Sequence, residues 1–548
     1  MRVVIIGGVA GGMSAATRMR RLDAEAEIVV FEKSGHVSYA NCGLPYYVGG
    51  IIADEDALLL QTPESLHARF RLDVRVLSEV IGIDSTTKRV SIKNLVTNEI
   101  TELSYDKLIL SPGASPIVPP IPGVERAMTL RTVEDVERIV AQVDTKPTSA
   151  VVIGGGFIGV EIGENLAHKG ISTSIVEASP QLLAPLDPEM ATLVALEMKK
   201  HGVELHLNEA ASAINAESVS LKSGVELPAE LVILAIGVRP DTALAAAAGV
   251  KIGERGGIAV DTNNLTSNPD IYAVGDATEK CDALDGSATL VPLANIANRH
   301  GRIVADHIAG RHVRPVKTIG TAIVKVFDLT IAATGWNEKR LSAAKADFAV
   351  IHSHPNSHAG YYPGAQQMQL KLLFNPTSGE ILGAQGVGTD GVDKRIDVIA
   401  TAIRGGITAP ELADLELAYA PPFGSAKDPV NMLGYIAENI MSGLVKTAQW
   451  SEVDELKNHG YQLIDVRTPS EFAAGKIADA VNIPVDEIRT RTSEIKKQPI
   501  LVNCQVGQRG HTATVLLNEL GFDATNLDGG YLTWSKSPAA LMSESINN

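Results

Sequence analysis

Residues 151–159 read VVIGGGFIG. A short apolar run meets consecutive glycines and passes into a helical pattern, the signature of a buried parallel strand, a tight turn and a helix. The stretch contains Gly154-x-Gly156-x-x-Gly159. Glycines at this spacing permit a tight turn, close approach of backbone to a pyrophosphate, and close helix–strand contact. The N-terminus of the helix then offers free N–H groups and a positive dipole end to phosphate.

Residues 3–12, VVIIGGVAGG, repeat the pattern with one departure. Gly7 and Gly12 fit, while the middle glycine position holds Val9. The next strand-like run, EIVVFEK, brings Glu32 to a point 20 residues after Gly12, and Glu177 stands 18 residues after Gly159. An acid at that distance accepts hydrogen bonds from a ribose. Two units, each with strand, glycine turn, helix and distal acid, predict two Rossmann-like dinucleotide-binding domains. The Glu177 carboxylate suits the free 2′-hydroxyl of NAD and repels the 2′-phosphate of NADP, and no arginine follows at once. NADH is therefore expected at the second unit.

The chain has 548 residues, which at about 150 per domain predicts three or four domains. Its 48 Lys+Arg against 64 Asp+Glu leave a net charge of −16, which argues against a general nucleic-acid binder. The apolar runs are all shorter than a membrane span, and Met1-Arg2 leads directly into the first strand rather than into a signal peptide. The expectation is a cytoplasmic protein that engages neither membrane nor nucleic acid. Three cysteines, Cys42, Cys281 and Cys504, are too few for a disulfide scaffold and lack zinc spacing. An odd count fits a reducing compartment. Cys281 has no motif around it and reads as a packing thiol. The HSHPNSH at 352–358 hints at a metal, but no cysteine or carboxylate accompanies it, so no metal site is expected.

Residues 316–445 alternate strand-like runs (TAIVKVFDLTIAATGW, MQLKLLF, EILGAQGVG) with a helical stretch near 392–404, which predicts an α+β domain. A new α/β pattern follows, with QLIDVRTPSEF, VNIP, PILVNCQVGQRG and a helix near 511–520. The join at 441–449 is short and does not have the composition of a long flexible tether.

Three further segments carry a family resemblance: LILSPGASP at 108–116, LVILAIGVRPD at 231–241 and NPDIYAVGDAT at 268–278. With the two glycine units, they make residues 1–445 resemble the flavoprotein pyridine nucleotide–disulfide oxidoreductases. The resemblance implies a discontinuous FAD-binding domain (1–112 and 243–315), an NADH-binding domain (113–242) and a dimerisation domain (316–445). FAD would contact Gly7, Gly12, Glu32 and Lys33, with Asp276 on its ribityl chain. NADH would lie on Gly154, Gly156, Gly159 and Glu177.

The subfamily rests on residues 38–47, SYANCGLPYY. Familiar members carry two cysteines five positions apart, and here the second position is Tyr47. The single Cys42 resembles the pattern of coenzyme A–disulfide reductases, NADH oxidases, NADH peroxidases and persulfide reductases. NCGLPYY fits the coenzyme A group best. That likeness implies contacts to coenzyme A from Ser14, Arg18, Arg21, Ser38, Asn41 and Lys427. It also implies that Tyr419 approaches the cysteine of a partner subunit, so that a homodimer shares its active sites. YYPGA at 361–365 resembles a second tyrosine contribution, with Tyr361 favoured and Tyr362 left open.

Residues 447–548 resemble a rhodanese domain, with CQVGQRG from Cys504 to Arg509 as the active-site loop. Successive backbone N–H groups around a thiol form an anion nest, and Arg509 would add charge. Asp465 and Arg467 would support the loop. The usual Gly-His-Ile before VNIP is here Gly475-Lys476-Ile477. The expected function is an FAD- and NADH-dependent reductase of persulfides, polysulfides and coenzyme A persulfide or disulfide, acting through Cys42. Cys504 would handle sulfane sulfur. Two alternatives stay open: an NADH oxidase or peroxidase cycling a Cys42 sulfenate, and a sulfur-carrier or redox-sensing protein without turnover.

Overall fold

The computed structural model describes residues 1–541. The end of the expected rhodanese segment, residues 542–548, lies outside the described residues. The described chain forms two compact units, residues 1–180 with 201–319, and residues 181–200 with 320 onward.

The first unit is built on two parallel sheets. One is five-stranded, in the order Ile271–Ala273, Lys107–Leu110, Arg2–Ile6, Glu27–Phe31, Asp73–Arg75. Its central strand is apolar at every inner position because both faces are covered; Val3, Val4 and Ile5 have no exposure. The other sheet runs Glu204–Leu207, Ser172–Glu177, Ser149–Ile153, Leu231–Leu234. Ile271–Ala273 completes the first sheet from a distant part of the chain, after the second sheet has been formed. The two crossover segments, Ala114–Pro116 and Val238–Pro240, pair as an antiparallel ribbon with Arg239 opposite Ser115.

The second unit holds an antiparallel five-stranded sheet, in the order Ala322–Val326, Leu329–Gly335, Ile381–Gly388, Met368–Phe374, Ala349–Ser353. Helices Val392–Gly405 and Pro429–Met441 contribute to its core, and the strand MQLKLLF is buried at every position. The same unit contains a parallel sheet in the order Thr447–Ala448, Ala524–Leu527, Ile500–Asn503, Gln462–Asp465, Val481–Asn482. Helix Pro188–Lys200 groups with this unit although its sequence follows the second glycine unit.

Candidate active site

Both glycine turns have the geometry their spacing predicts. Gly7 has φ +100° and Gly154 has φ +112°, values that suit glycine. A Cβ on Gly12 would lie 1.9 Å from the Gly7 carbonyl oxygen, and one on Gly159 would lie 1.9 Å from that of Gly154. A Cβ on Gly156 would meet nothing within 4 Å, so the N-terminus of helix Phe157–His168 opens onto free space. That space, beside unpaired first-turn amides, fits a pyrophosphate. Glu177 accepts the N–H groups of Gly155 and Ser179, each at 2.7 Å. Glu32 matches it, accepting from Gly8 at 2.7 Å and Ser34 at 2.9 Å. Burial pushes the Glu32 carboxyl up against these hydrogen bonds. Lys33, beside it, is exposed. Asp276 sits on the turn Gly275–Ala277, 3.6 Å from Arg131 Nη2. Buried Lys280 donates to the carbonyls of Gly275 and Thr278 and titrates at about 8 because of that burial.

Cys42 lies on the turn Asn41–Gly43, which runs into helix Leu44–Val48 with Pro45 in its first turn. It is exposed on the single chain. Desolvation, then the charges of Glu161 and Asp276, push its thiol up, and Arg131 draws it down. The chain's own net effect therefore opposes the thiolate. Sequence reasoning missed Arg131, which is the cation acting on this sulfur. With its amide turned to satisfy both groups, Asn41 donates to the Arg131 carbonyl at 2.8 Å and accepts from Nη1 at 3.1 Å. Tyr46 donates to Glu161 at 3.1 Å, and burial raises Glu161 to about 7. Tyr47, in the second-cysteine position, turns to Glu55 at 3.4 Å.

Ser14 and Arg18 share helix Ala10–Leu22, which packs along helix Ala294–Ile308. Ser14 donates to Asn298 at 2.8 Å. Arg18 bonds Asp306 at 2.5 Å, and Arg311 and Arg302 approach the same carboxylate at 3.5 and 3.8 Å. Three guanidinium groups thus converge on one acid, a basic patch only partly legible from Arg18 and Arg21. Arg21 itself lies over the Phe70 ring at 5.1 Å. Ser38 holds a left-handed backbone, φ 49°. In the second unit Lys427 lies 5.8 Å from the Tyr435 ring centre.

The Tyr361 and Tyr419 hydroxyls meet at 3.0 Å. Their loops are tied together by Ala359 N–H donating to Gly424 O at 2.9 Å. Buried Arg395 fixes both loops, bonding the Ser357 carbonyl at 2.8 Å and Asp428 at 2.9 Å. Tyr362 instead packs edge-on against His358.

Cys504 is fully buried at the end of strand Ile500–Asn503, and its loop enters helix Gln508–Glu519 through Gly507, φ +89°. That helix starts three residues before the expected 511, which brings its free first-turn amides to the loop. Arg467 is a clamp: it binds Asp465 through Nε and Nη2, the Gly475 carbonyl at 2.7 Å and Gln505 of the loop at 3.2 Å. Its guanidinium lies 4.1 Å from the centre of the Tyr531 ring. Arg509 is held by Glu471 at 2.7 and 2.8 Å, and the pair holds Glu471 at about 2. An open cavity of about 340 Å³ adjoins the loop, lined by Arg467, Glu471, Ala474, Gly475, Gln505 and Tyr531.

Two dinucleotide turns on paired parallel sheets, joined by twin crossovers and followed by an antiparallel sheet, define a two-nucleotide reductase scaffold. The chain belongs to the pyridine nucleotide-disulphide oxidoreductase family, whose model matches residues 1–301, with the family's dimerisation domain matching 321–429 and a rhodanese-like domain 450–537. It is 37% identical over 442 residues to the coenzyme A disulfide reductase of Staphylococcus aureus (strain JH9), covering 80% of this chain and 100% of that one. The reduced Bacillus anthracis CoADR-RHD crystal structure is 50% identical, with 98% of each chain covered and a TM-score of 0.96. An NAD-dependent persulfide reductase from A. fulgidus is 36% identical, with 97% of this chain and 100% of that one covered and a TM-score of 0.92. Among the described residues no helix is long and apolar enough to cross a membrane.

Proposed function

We propose that the protein is an NADH-dependent, FAD-containing reductase of coenzyme A persulfide, coenzyme A disulfide and related persulfides and polysulfides, with a rhodanese module that loads sulfane sulfur. The observation that carries this reading is the presence, in one chain, of two isolated thiols in two chemically distinct settings. Cys42 is exposed on a turn in the first unit, and Cys504 is buried in the loop that leads into helix Gln508–Glu519. Neither has a cysteine neighbour in sequence, so an external sulfur compound is the natural partner of each.

The domain assignment follows the chain: 1–112 with 243–315 for FAD, 113–242 for NADH, 316–445 for dimerisation and 447 onward for rhodanese. Gly7, Gly12, Glu32, Lys33 and Asp276 would hold FAD, and Gly154, Gly156, Gly159 and Glu177 would hold NADH. Bound FAD supplies the two-electron relay between NADH and the sulfur chemistry at Cys42. Coenzyme A would lie along Ser14, Arg18, Arg21, Ser38 and Asn41, with Lys427 contributed by a partner copy. The Arg18, Arg302 and Arg311 cluster supports this, because guanidinium forks match phosphate oxygens.

The Cys504 thiolate attacks the outer sulfur of a persulfide R–S–SH, giving Cys504–S–SH and R–S⁻. A coenzyme A thiolate takes that outer sulfur, regenerating the Cys504 thiolate and forming CoA–S–SH. The Cys42 thiolate attacks the sulfur attached to coenzyme A, giving Cys42–S–S–CoA and HS⁻. Two electrons from NADH cleave this disulfide into two thiolates, with NAD⁺ and a proton as the other products. Coenzyme A disulfide enters the same cycle, with CoA–S⁻ in place of HS⁻. In a homodimer, Tyr419 and Tyr361 of one subunit would face Cys42 of the other and protonate the departing coenzyme A thiolate.

Mass spectrometry of the two cysteine peptides tests the scheme. After anaerobic incubation with coenzyme A persulfide, Cys42 should carry coenzyme A in disulfide linkage, and NADH should remove it. An adduct that survives NADH would contradict the scheme.

A further inference from the structure

The proposed function makes no use of the histidine segment at 352–358. His352 lies on strand Ala349–Ser353, directly opposite Lys371 in the antiparallel register. Its side chain has no exposure. Nδ1 is 2.8 Å from Asp528 Oδ2, the same oxygen that accepts the His352 backbone N–H at 2.8 Å. Nε2 is 2.9 Å from Glu189 Oε1. Each ring nitrogen thus faces a carboxylate oxygen, which requires both to be donors and the ring to be an imidazolium. Its titration is accordingly raised to about 9, against the cost of burial, by Asp528 and Glu189.

The groups around it are buried charges. Lys371 Nζ contacts Glu189 at 2.5 Å and Asp187 at 2.9 Å, and also Glu338. His354, two residues on, is held neutral by burial, with a pKa near 3, and its Nε2 lies 2.7 Å from Thr533 Oγ1. Lys536 lowers His354 further. Removing one member of such a buried set leaves an uncompensated charge, so the contact is strongly specified.

Asp528 follows strand Ala524–Leu527 and opens the Gly529-Gly530 turn, both glycines having positive φ. A Cβ on Gly529 would lie 2.7 Å from His352 Cβ, and one on Gly530 would lie 2.4 Å from the Cys504 carbonyl oxygen. Beyond the glycines, Tyr531 N–H donates to Cys504 O at 2.7 Å and Leu532 N–H to Gln505 O at 2.9 Å. One side-chain bond and one turn therefore separate His352 from the reactive loop.

We propose that His352 is a positioning residue for sulfur transfer at Cys504: by clamping Asp528 it fixes the 529–532 turn whose N–H groups hold the Cys504 and Gln505 carbonyls, so that the dimerisation domain sets the geometry of the sulfurtransferase loop. This rests on the reading of Cys504 as the sulfur carrier.

The test uses the full chain and thiosulfate-to-cyanide sulfur transfer, in which thiosulfate and cyanide give sulfite and thiocyanate. In His352→Asn the amide donor stands near the Nδ1 position and keeps the Asp528 bond; in His352→Gln it stands near Nε2 and loses it. The expected result is a fall in kcat of at least tenfold for His352→Gln with KM for thiosulfate within twofold, and recovery of much of that loss by His352→Asn. NADH-driven coenzyme A disulfide reduction should stay unchanged in both. Asp528→Ala, which removes the acceptor of both His352 bonds, should lose transfer as His352→Gln does, and serves if the latter fails to fold. Wild-type transfer by His352→Gln, or an equal loss in the Asn and Gln variants, would overturn the proposal. Cys504→Ser separates the two claims: transfer surviving in it sinks the sulfur-carrier reading, whereas loss in it with none in His352→Gln sinks the positioning role alone.

Discussion

The hydroxyls of Tyr361 and Tyr419 lie 3.0 Å apart, on two loops separated by 58 residues, and both rings are solvent-exposed on the single chain. The hydrogen bond to Tyr419 raises the Tyr361 phenol, and either hydroxyl of the pair can be the donor. Tyr361 is the one that meets Tyr419, whereas Tyr362 packs on His358. Tyr419→Phe should reduce turnover of coenzyme A disulfide by roughly 100-fold, the range of a lost acid–base group, while flavin reduction by NADH is unchanged. Tyr361→Phe should cost less, and Tyr362→Phe should be neutral. Stopped-flow separation of the two half-reactions checks all three.

Gly156 and Gly159 of the second glycine turn should part company on substitution. Gly156→Ala places a methyl in open space where backbone φ is −76°, so its melting temperature should hold while KM for NADH rises about tenfold. Gly159→Ala drives a methyl to 1.9 Å from the Gly154 oxygen and should destabilise the protein by about 1–3 kcal/mol. Thermal melts and steady-state NADH kinetics distinguish the outcomes.

Coenzyme A recognition should follow the arginines around Asp306. Arg18→Ala should raise KM for coenzyme A disulfide by about tenfold with little change in kcat, and Arg302→Ala and Arg311→Ala by a few-fold each. Added salt should raise KM in the wild type more than in Arg18→Ala, because part of the attraction is screened charge.

Much of this was legible in the sequence. The glycine spacings and distal acids were enough to place both glycine turns, because each is a local demand on backbone geometry. Cys42 and the Cys504 loop were equally local. The pairs that bridge long stretches of chain were not: Arg18 with Asp306, Arg131 with Cys42, Tyr361 with Tyr419, and His352 with Asp528, 176 residues away. Periodicity reports which face is buried, not what meets it. Lys371 stands inside the apolar run MQLKLLF, and a lysine buried in a strand requires carboxylates close by. The 352–358 histidines likewise hinted at metal, yet both nitrogens of His352 are taken by protein carboxylates.

His352 also predicts a pH dependence of stability. Its folded pKa of about 9 lies above the ordinary 6.5, so its contribution is complete below pH 6.5 and is lost as pH rises through 9. The shift corresponds to a few kcal/mol. Denaturant melts between pH 6.5 and 9.5 should show stability falling in the wild type and a flatter profile in His352→Asn.

The central claim is that Cys42 reduces the sulfur species and Cys504 loads it. Anaerobic sulfide release driven by NADH, with coenzyme A persulfide as substrate, measures this most directly. The wild type should release one sulfide per NADH, Cys504→Ser should match it on this preloaded substrate, and Cys42→Ser should release none beyond background. Undiminished release by Cys42→Ser would contradict the account.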